Sequence, residues 1–212
     1  RGLTETILGD EEVDDETVKR FIGRVHLQSL RLSQLVGDLM AISRLESGHN
    51  NENFRKINFT DLIRKAVQEV QSIADENGHK LVTELTEEEL EVYGDQQNLS
   101  QLADNLINNA MKYTTESGTI TVKLLKDEET AELQVSDTGI GISPKYQNRV
   151  FERFYRVDKA RSQSLGGTGL GLSIVKNIAE KHSVSVSVES RLGSGSTFIF
   201  RIPLKKKVEA KS

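Results

Sequence analysis

The chain of 212 residues carries 28 Lys and Arg against 32 Asp and Glu, a net charge of −4, with no Cys, four His and two Pro. The mildly acidic balance argues against a nucleic-acid binder, which would show a basic stripe, and zero Cys excludes disulfide frameworks, Cys zinc sites and thiol catalysis. No stretch reaches the ~18 consecutive apolar residues of a membrane span, so no membrane contact is expected of these residues. Residues 1–9 read as the end of a helix, with Leu3, Ile7 and Leu8 on one side and Gly9 at its stop. The acidic 10–16 stretch predicts a loop and the first turn of a helix, where carboxylates complement the dipole. From 17 to 47, Ile22, Val25, Ser29, Leu32, Val36 and Leu39 recur at spacings of three and four, the pattern of a bundle seam. Leu35 and Ile42 widen that stripe beyond a two-stranded seam, which predicts a four-helix bundle. Gly48, His49, Asn50 and Asn51 end the helix and divide a helical segment (1–49) from a second domain (50–204) with a basic tail (205–212).

From Phe54 onward, short strands alternate with helices. Ile57 and Phe59 predict a short strand, and Thr60 or Asp61 the cap of a helix to about Glu76. Strands follow at 80–85 and 90–93, and Asp95 caps a helix reaching about Tyr113. A hairpin is expected from 118–125 and 130–136 around the turn 126–129, then a helix over 170–181 and closing strands at 184–189 and 196–202. The fold class is α+β: a mixed sheet with helices on one face, an α/β sandwich preceded by a helical segment.

Eight of the sixteen glycines fall between Gly139 and Gly195. One cluster, Asp137-Thr138-Gly139-Ile140-Gly141, follows a strand; the other, Gly166-Gly167-Thr168-Gly169-Leu170-Gly171, precedes a helix. The second placement aims free N–H groups and the positive dipole end at an anion such as phosphate. A Walker loop is excluded because no Gly-Lys dipeptide exists. A Rossmann fingerprint fails because a polar segment, not a strand, precedes the glycines. On the helix after Asp95, Asn105, Asn109 and Lys112 share one face. An asparagine amide is a neutral oxygen ligand suited to Mg²⁺, which keeps several waters and binds substrate phosphates.

These residues resemble the bacterial two-component sensor histidine kinases, whose ATP-binding domain has the Bergerat fold. Asn105-Leu-Ile-Asn-Asn109-Ala-Met-Lys112-Tyr113-Thr is similar to the N box and Asp137-Thr-Gly139-Ile-Gly141-Ile to the G1 box. Phe151-Glu-Arg-Phe154-Tyr-Arg156 is similar to the F box and Gly167-Thr-Gly169-Leu-Gly171-Leu to the G2 box. The wording of 153–162 is nearest the Gram-positive phosphate-regulon sensor kinases, with the cell-wall sensor kinases close behind. The resemblance implies that Asp137 accepts the adenine amino hydrogen, selecting ATP over GTP. It implies Asn109 as the Mg²⁺ ligand with Asn105 beside it, Lys112 on phosphate and Tyr113 flanking the nucleotide. Gly139 and Gly141 would let the backbone pass close to the base, while Gly169 and Gly171 would open the phosphate-facing helix, with Thr168 and Leu170 beside them as further cofactor-binding residues. Residues 156–168 would form the ATP lid, anchored by Phe151 and Phe154, with either Arg153 or Arg156 stabilising the transferred γ-phosphoryl group. The implied partners are ATP, a response-regulator receiver domain and a second copy in the intact kinase, a phosphoprotein. The implied location is the cytoplasmic portion of a membrane-anchored sensor.

The family's phosphoacceptor lies in a His-Glu-x-x-Thr/Asn-Pro motif. Neither Pro144 nor Pro203 has a histidine five positions earlier, and His26 is followed by Leu27 and Gln28 instead of an acidic residue. The expectation is a fragment that binds Mg-ATP without phosphorylating itself. His182-Ser183-Val184 stands where the family has His-Gly-Gly, so a turn is altered; His182 reads as a helix-end residue favoured by the dipole. Competing readings are a chaperone or mismatch-repair type ATPase, an anti-sigma serine kinase, or a scaffold module with relic glycines.

Overall fold

The computed structural model describes residues 14–46, 53–115, 117–157 and 167–204. The expected helix at 1–9, the helix-ending cluster at 48–51, most of the lid and the basic tail lie outside these. Helix α1 spans Asp15–Glu46. Asp14 starts it, accepting from the Thr17 N–H at 2.8 Å and the Thr17 hydroxyl at 2.9 Å.

Two stripes run along α1. The expected seam stays open: Ile22, Val25, Leu32, Val36 and Leu39 are 60%, 45%, 64%, 42% and 43% exposed. A second stripe, Leu35, Asp38, Ile42 and Leu45, turns toward the α/β unit; Asp38 and Ile42 are buried there, Leu35 and Leu45 half-buried. Ala41, Ile42 and Leu45 join the main core, and α1 packs on the helix that begins at Gly171. Leu35 and Ile42 therefore do not widen the bundle seam as expected. They belong to an intramolecular contact.

Beyond α1 come β1 (Phe54–Asn58), α2 (Phe59–Glu76), β2 (Lys80–Leu85), β3 (Glu91–Asp95), α3 (Gln96–Tyr113), β4 (Thr119–Asp127), β5 (Thr130–Asp137), a single turn α4 (Pro144–Gln147), α5 (Gly171–Lys181), β6 (Val186–Arg191) and β7 (Gly195–Pro203). The cap of α2 is Asn58, whose side chain accepts from the Asp61 N–H, and not Thr60 or Asp61. Phe59, expected to close the strand, is instead fully buried in the first turn of α2. The Thr60 hydroxyl is used elsewhere, donating to the Glu88 carbonyl and accepting from the Leu90 N–H.

Five strands form a mixed sheet in the order β2-β4-β5-β7-β6, with β2 parallel to β4 and the rest antiparallel. β1 and β3 make a separate antiparallel ribbon, joined to the end of β7 by a bridge between Val92 and Leu204. Period-two alternation sends Ile120, Val122 and Leu124, then Ala131, Leu133 and Val135, then Phe198, Phe200 and Ile202 to one face, all buried. Against that face lie the apolar sides of α2, α3 and α5. α3 contributes Leu99, Leu102, Ala103, Leu106, Ile107 and Ala110, each fully buried. The helices are on one face, as the strand pattern predicted.

Candidate functional site

Asp95 sets the phase of α3: its carboxylate accepts from the N–H groups of Gln97 at 3.0 Å and Asn98 at 3.1 Å. With the apolar side of α3 committed to the sheet, Asn105, Asn109 and Lys112 line a cleft of about 450 Å³. The same cleft is lined by Tyr113, Asp137, Gly141, Tyr155, Arg156, Thr168, Gly169 and Gly171. Residues from both glycine clusters and the polar side of α3 therefore line one cleft. A volume of this size lies within the range of small-molecule sites.

Asp137 is the fourth member of the inward-facing row begun by Ala131, Leu133 and Val135. The alternation that buries the valine also points this carboxyl inward, at the strand end where the helix layer opens. It is 7% exposed. Burial pushes its pKa up, while the N–H groups of Gly139 and Ser196 hold it back down. The Gly139 N–H donates to it at 2.8 Å.

The glycines serve chain packing more than expected. A Cβ at Gly139 would strike the Tyr113 carbonyl, and one at Gly141 the Arg191 carbonyl, so the close approach is to the chain's own backbone. A Cβ at Gly171 would sit 2.9 Å from Asn105 Oδ1, so this glycine lets α5 meet α3. Asn105 is held in turn by its Nδ2, which donates to the Gln101 carbonyl at 2.9 Å. Gly169 has φ +76°, and its carbonyl accepts from the Phe154 N–H at 2.9 Å. That bond joins the F-box segment to the second glycine cluster.

Three expected site residues do not line the cleft. Leu170 is fully buried, with its side chain in the core. Gly139 faces Tyr113. Arg153 is exposed, whereas Arg156 lies in the cleft wall. Of the two aromatics, Phe151 packs edge-on against Phe198 with ring centroids 6.2 Å apart. Phe154 is 57% exposed with φ +60°.

Lys112 is half-buried, and its amine is pushed down to about 8, first by burial and then by the positive charges of Arg156 and Arg31. Its ammonium also lies 5.6 Å from the centroid of the Tyr113 ring. Arg31 belongs to α1, and α1 also supplies Gln34 and Asp38 to the cleft lining. Sequence reasoning missed both. The available signal was Asp38 itself, a charge set between Leu35 and Ile42 in an apolar stripe.

His182 closes α5 and stacks on Phe54 with centroids 4.6 Å apart. Its Nε2 accepts from the Asp95 N–H at 3.1 Å, and Nδ1 is 2.8 Å from the Ile178 carbonyl. This pairing needs the neutral ring with the proton on Nδ1. Burial lowers its pKa. A neutral structural histidine replaces the expected dipole-favoured one.

Residues 94–206, more than half of the chain, match the model of the histidine kinase-, DNA gyrase B- and HSP90-like ATPase family. The chain belongs to this family. Its fold is the Bergerat-type sandwich, carried behind an N-terminal helix. Sensor histidine kinase RppB of Synechocystis is 39% identical over 200 residues, covering 94% of this chain and 44% of RppB. Sensor-like histidine kinase SenX3 of Mycobacterium tuberculosis is 36% identical over 201 residues, covering 95% of this chain and 48% of SenX3. The chain thus spans less than half the length of these relatives. The catalytic domain of histidine kinase ThkA superposes with a TM-score of 0.63 at 28% identity, over 71% of this chain and 95% of ThkA's. These likenesses place the chain with the catalytic regions of bacterial two-component sensor kinases, as the four boxes implied. Among the described residues, no helix is long and apolar enough to cross a membrane.

Proposed function

We propose that this chain is the ATP-binding catalytic region of a membrane-anchored sensor histidine kinase, acting in the cytoplasm. It would deliver the ATP γ-phosphoryl group to a histidine, from which it passes to a response-regulator receiver domain. Residues 1–49 would belong to the dimerisation and phosphotransfer segment but carry no phosphoacceptor motif, and 50–204 would serve catalysis. The observation that carries this reading is the convergence of the α3 polar face, buried Asp137 and the start of α5 on one cleft. Asp137 would accept the adenine amino hydrogen. Guanine presents a carbonyl at the corresponding position, which a carboxylate repels. Tyr113 flanks the nucleotide, Lys112 and Arg156 meet the phosphates, and Gly169 and Gly171 open the phosphate-facing end of α5. Arg156, and not exposed Arg153, stabilises the transferred group.

The donor set fits Mg²⁺. Among the described residues no group of three His, Asp or Glu could hold a metal. The cation would therefore be held by the Asn109 amide oxygen with substrate phosphates and water, and when bound it would neutralise phosphate charge. Asn105 would position Asn109 through its packing on Gly171.

Titration with ATP, ADP and GTP, with and without Mg²⁺, tests the reading. ATP and ADP are expected to bind, GTP far more weakly, and Mg²⁺ to favour ATP most. Equal affinity for GTP, or no nucleotide binding, would overturn it. With γ-labelled ATP the chain itself should stay unlabelled, because His26 lacks an acidic neighbour. A separate histidine-bearing bundle should take up acid-labile label.

A further inference from the structure

The hydroxyl that the second glycine loop offers to a phosphate is already engaged. Thr168 donates it to Asp38 Oδ2 at 2.7 Å, across 130 positions of sequence. Gln34 Nε2 holds the other oxygen of Asp38 at 2.8 Å. Asp38 is 4% exposed, yet it lines the cleft together with Thr168, Asn109 and Lys112. Thr168 has one hydroxyl hydrogen and cannot give it to a phosphate while Asp38 holds it. Its oxygen accepts from the Leu170 N–H at 3.2 Å, which also occupies one backbone donor just before α5. The Asp38 carboxylate is, moreover, a negative charge in the wall of a site for anions, at low local dielectric. Arg31 on the same helix acts the other way, but it reaches Lys112 through space and does not line the cleft.

We propose that Asp38 is a specificity-determining residue supplied by α1: it holds the Thr168 hydroxyl and places a carboxylate against the phosphate end of the cleft, so the docked helix disfavours a triphosphate relative to a diphosphate. This rests on the cleft taking adenine nucleotides. By linkage, ATP loosens α1 to the same degree that docked α1 weakens ATP.

Asp38→Asn and Asp38→Ala, made in the full 212-residue chain, test the proposal through the dissociation constants for Mg-ATP and Mg-ADP. Asp38→Ala is expected to tighten ATP by about tenfold, within the usual range of coupling between sites, and ADP far less. Asp38→Asn keeps a bonded amide between Gln34 and Thr168 while removing the charge, so it shifts the ATP-to-ADP ratio in the same direction by less. Should the alanine variant fail to fold, the asparagine ratio decides. Amide hydrogen exchange over 34–45 supplies an independent readout: ATP accelerates it in the parent chain, and Asp38→Ala shows fast exchange without nucleotide. An ATP-to-ADP ratio unchanged in every folded variant, or exchange slowed by ATP, sinks the role of Asp38 and leaves the nucleotide site intact. Failure of parent and variants to bind either nucleotide overturns both readings.

Discussion

Lys112 is the residue whose chemistry depends most on its surroundings. The folded chain lowers its amine from 10.5 to about 8, so between those values the unfolded chain holds the proton more tightly. The Lys112 contribution to stability therefore rises with pH across that window and is least below it. A bound polyphosphate has the opposite effect, because its negative charge favours the ammonium form. Nucleotide affinity is expected to fall as pH rises beyond about 8, by at most about tenfold per pH unit. Lys112→Arg keeps its charge and should flatten that slope. Titrations between about pH 7 and about pH 9 measure both slopes, and equal slopes would remove Lys112 from phosphate contact. The common face of Asn105, Asn109 and Lys112 was legible in the sequence because helical spacing states it, and Asp137 was singled out by its resemblance to the family's G1 box. Asp38 was not, since its partner Thr168 is distant in the chain and only folding brings the two together.

At the scale of elements, the end of α5 shows where local chemistry and local backbone disagree. The Ser183 N–H donates to the Glu180 carbonyl at 2.9 Å and the Val184 N–H to the Ala179 carbonyl at 3.0 Å, the two bonds of a Schellman ending. Ser183 takes the left-handed position with φ +56°, which glycine occupies without strain. Ser183→Gly is expected to stabilise the chain by about 1 kcal/mol, once the extra freedom of glycine in the unfolded chain is set against the relieved strain. In a domain of this size that raises Tm by about 2–4 °C, which thermal unfolding would detect; a lower Tm would contradict it. Strand bounds were legible to within a few residues because burial alternates with period two. The cap of α2 was not, because Asn58, Thr60 and Asp61 all suit the position. Burial of Phe59 in the first helical turn settled the start, and Thr60 was drawn to the 88–90 segment.

For the molecule as a whole, α1 presents one stripe to the α/β unit and leaves the other open. Leu32 is 64% and Ile22 60% exposed, and fully burying a side chain of this size contributes ~1.5–3 kcal/mol. The open seam is expected to drive self-association at micromolar concentration, seen as concentration-dependent sedimentation. Leu32→Lys with Val25→Lys should restore the monomer and leave ATP affinity unchanged, because the cleft is built on the other stripe. Persistent association in that variant would point to a different surface. The sequence by itself determined the order of elements, the α+β class and the helical face shared by Asn105, Asn109 and Lys112, and its four boxes carried the family resemblance. The elements and the shared face follow from short-range periodicity and spacing; the boxes follow from resemblance to the family. Only the tertiary structure decided which stripe of α1 is covered, which arginine meets the cleft, and that Asp38 holds Thr168. Those depend on packing between segments far apart in the chain, where no local pattern states the partner.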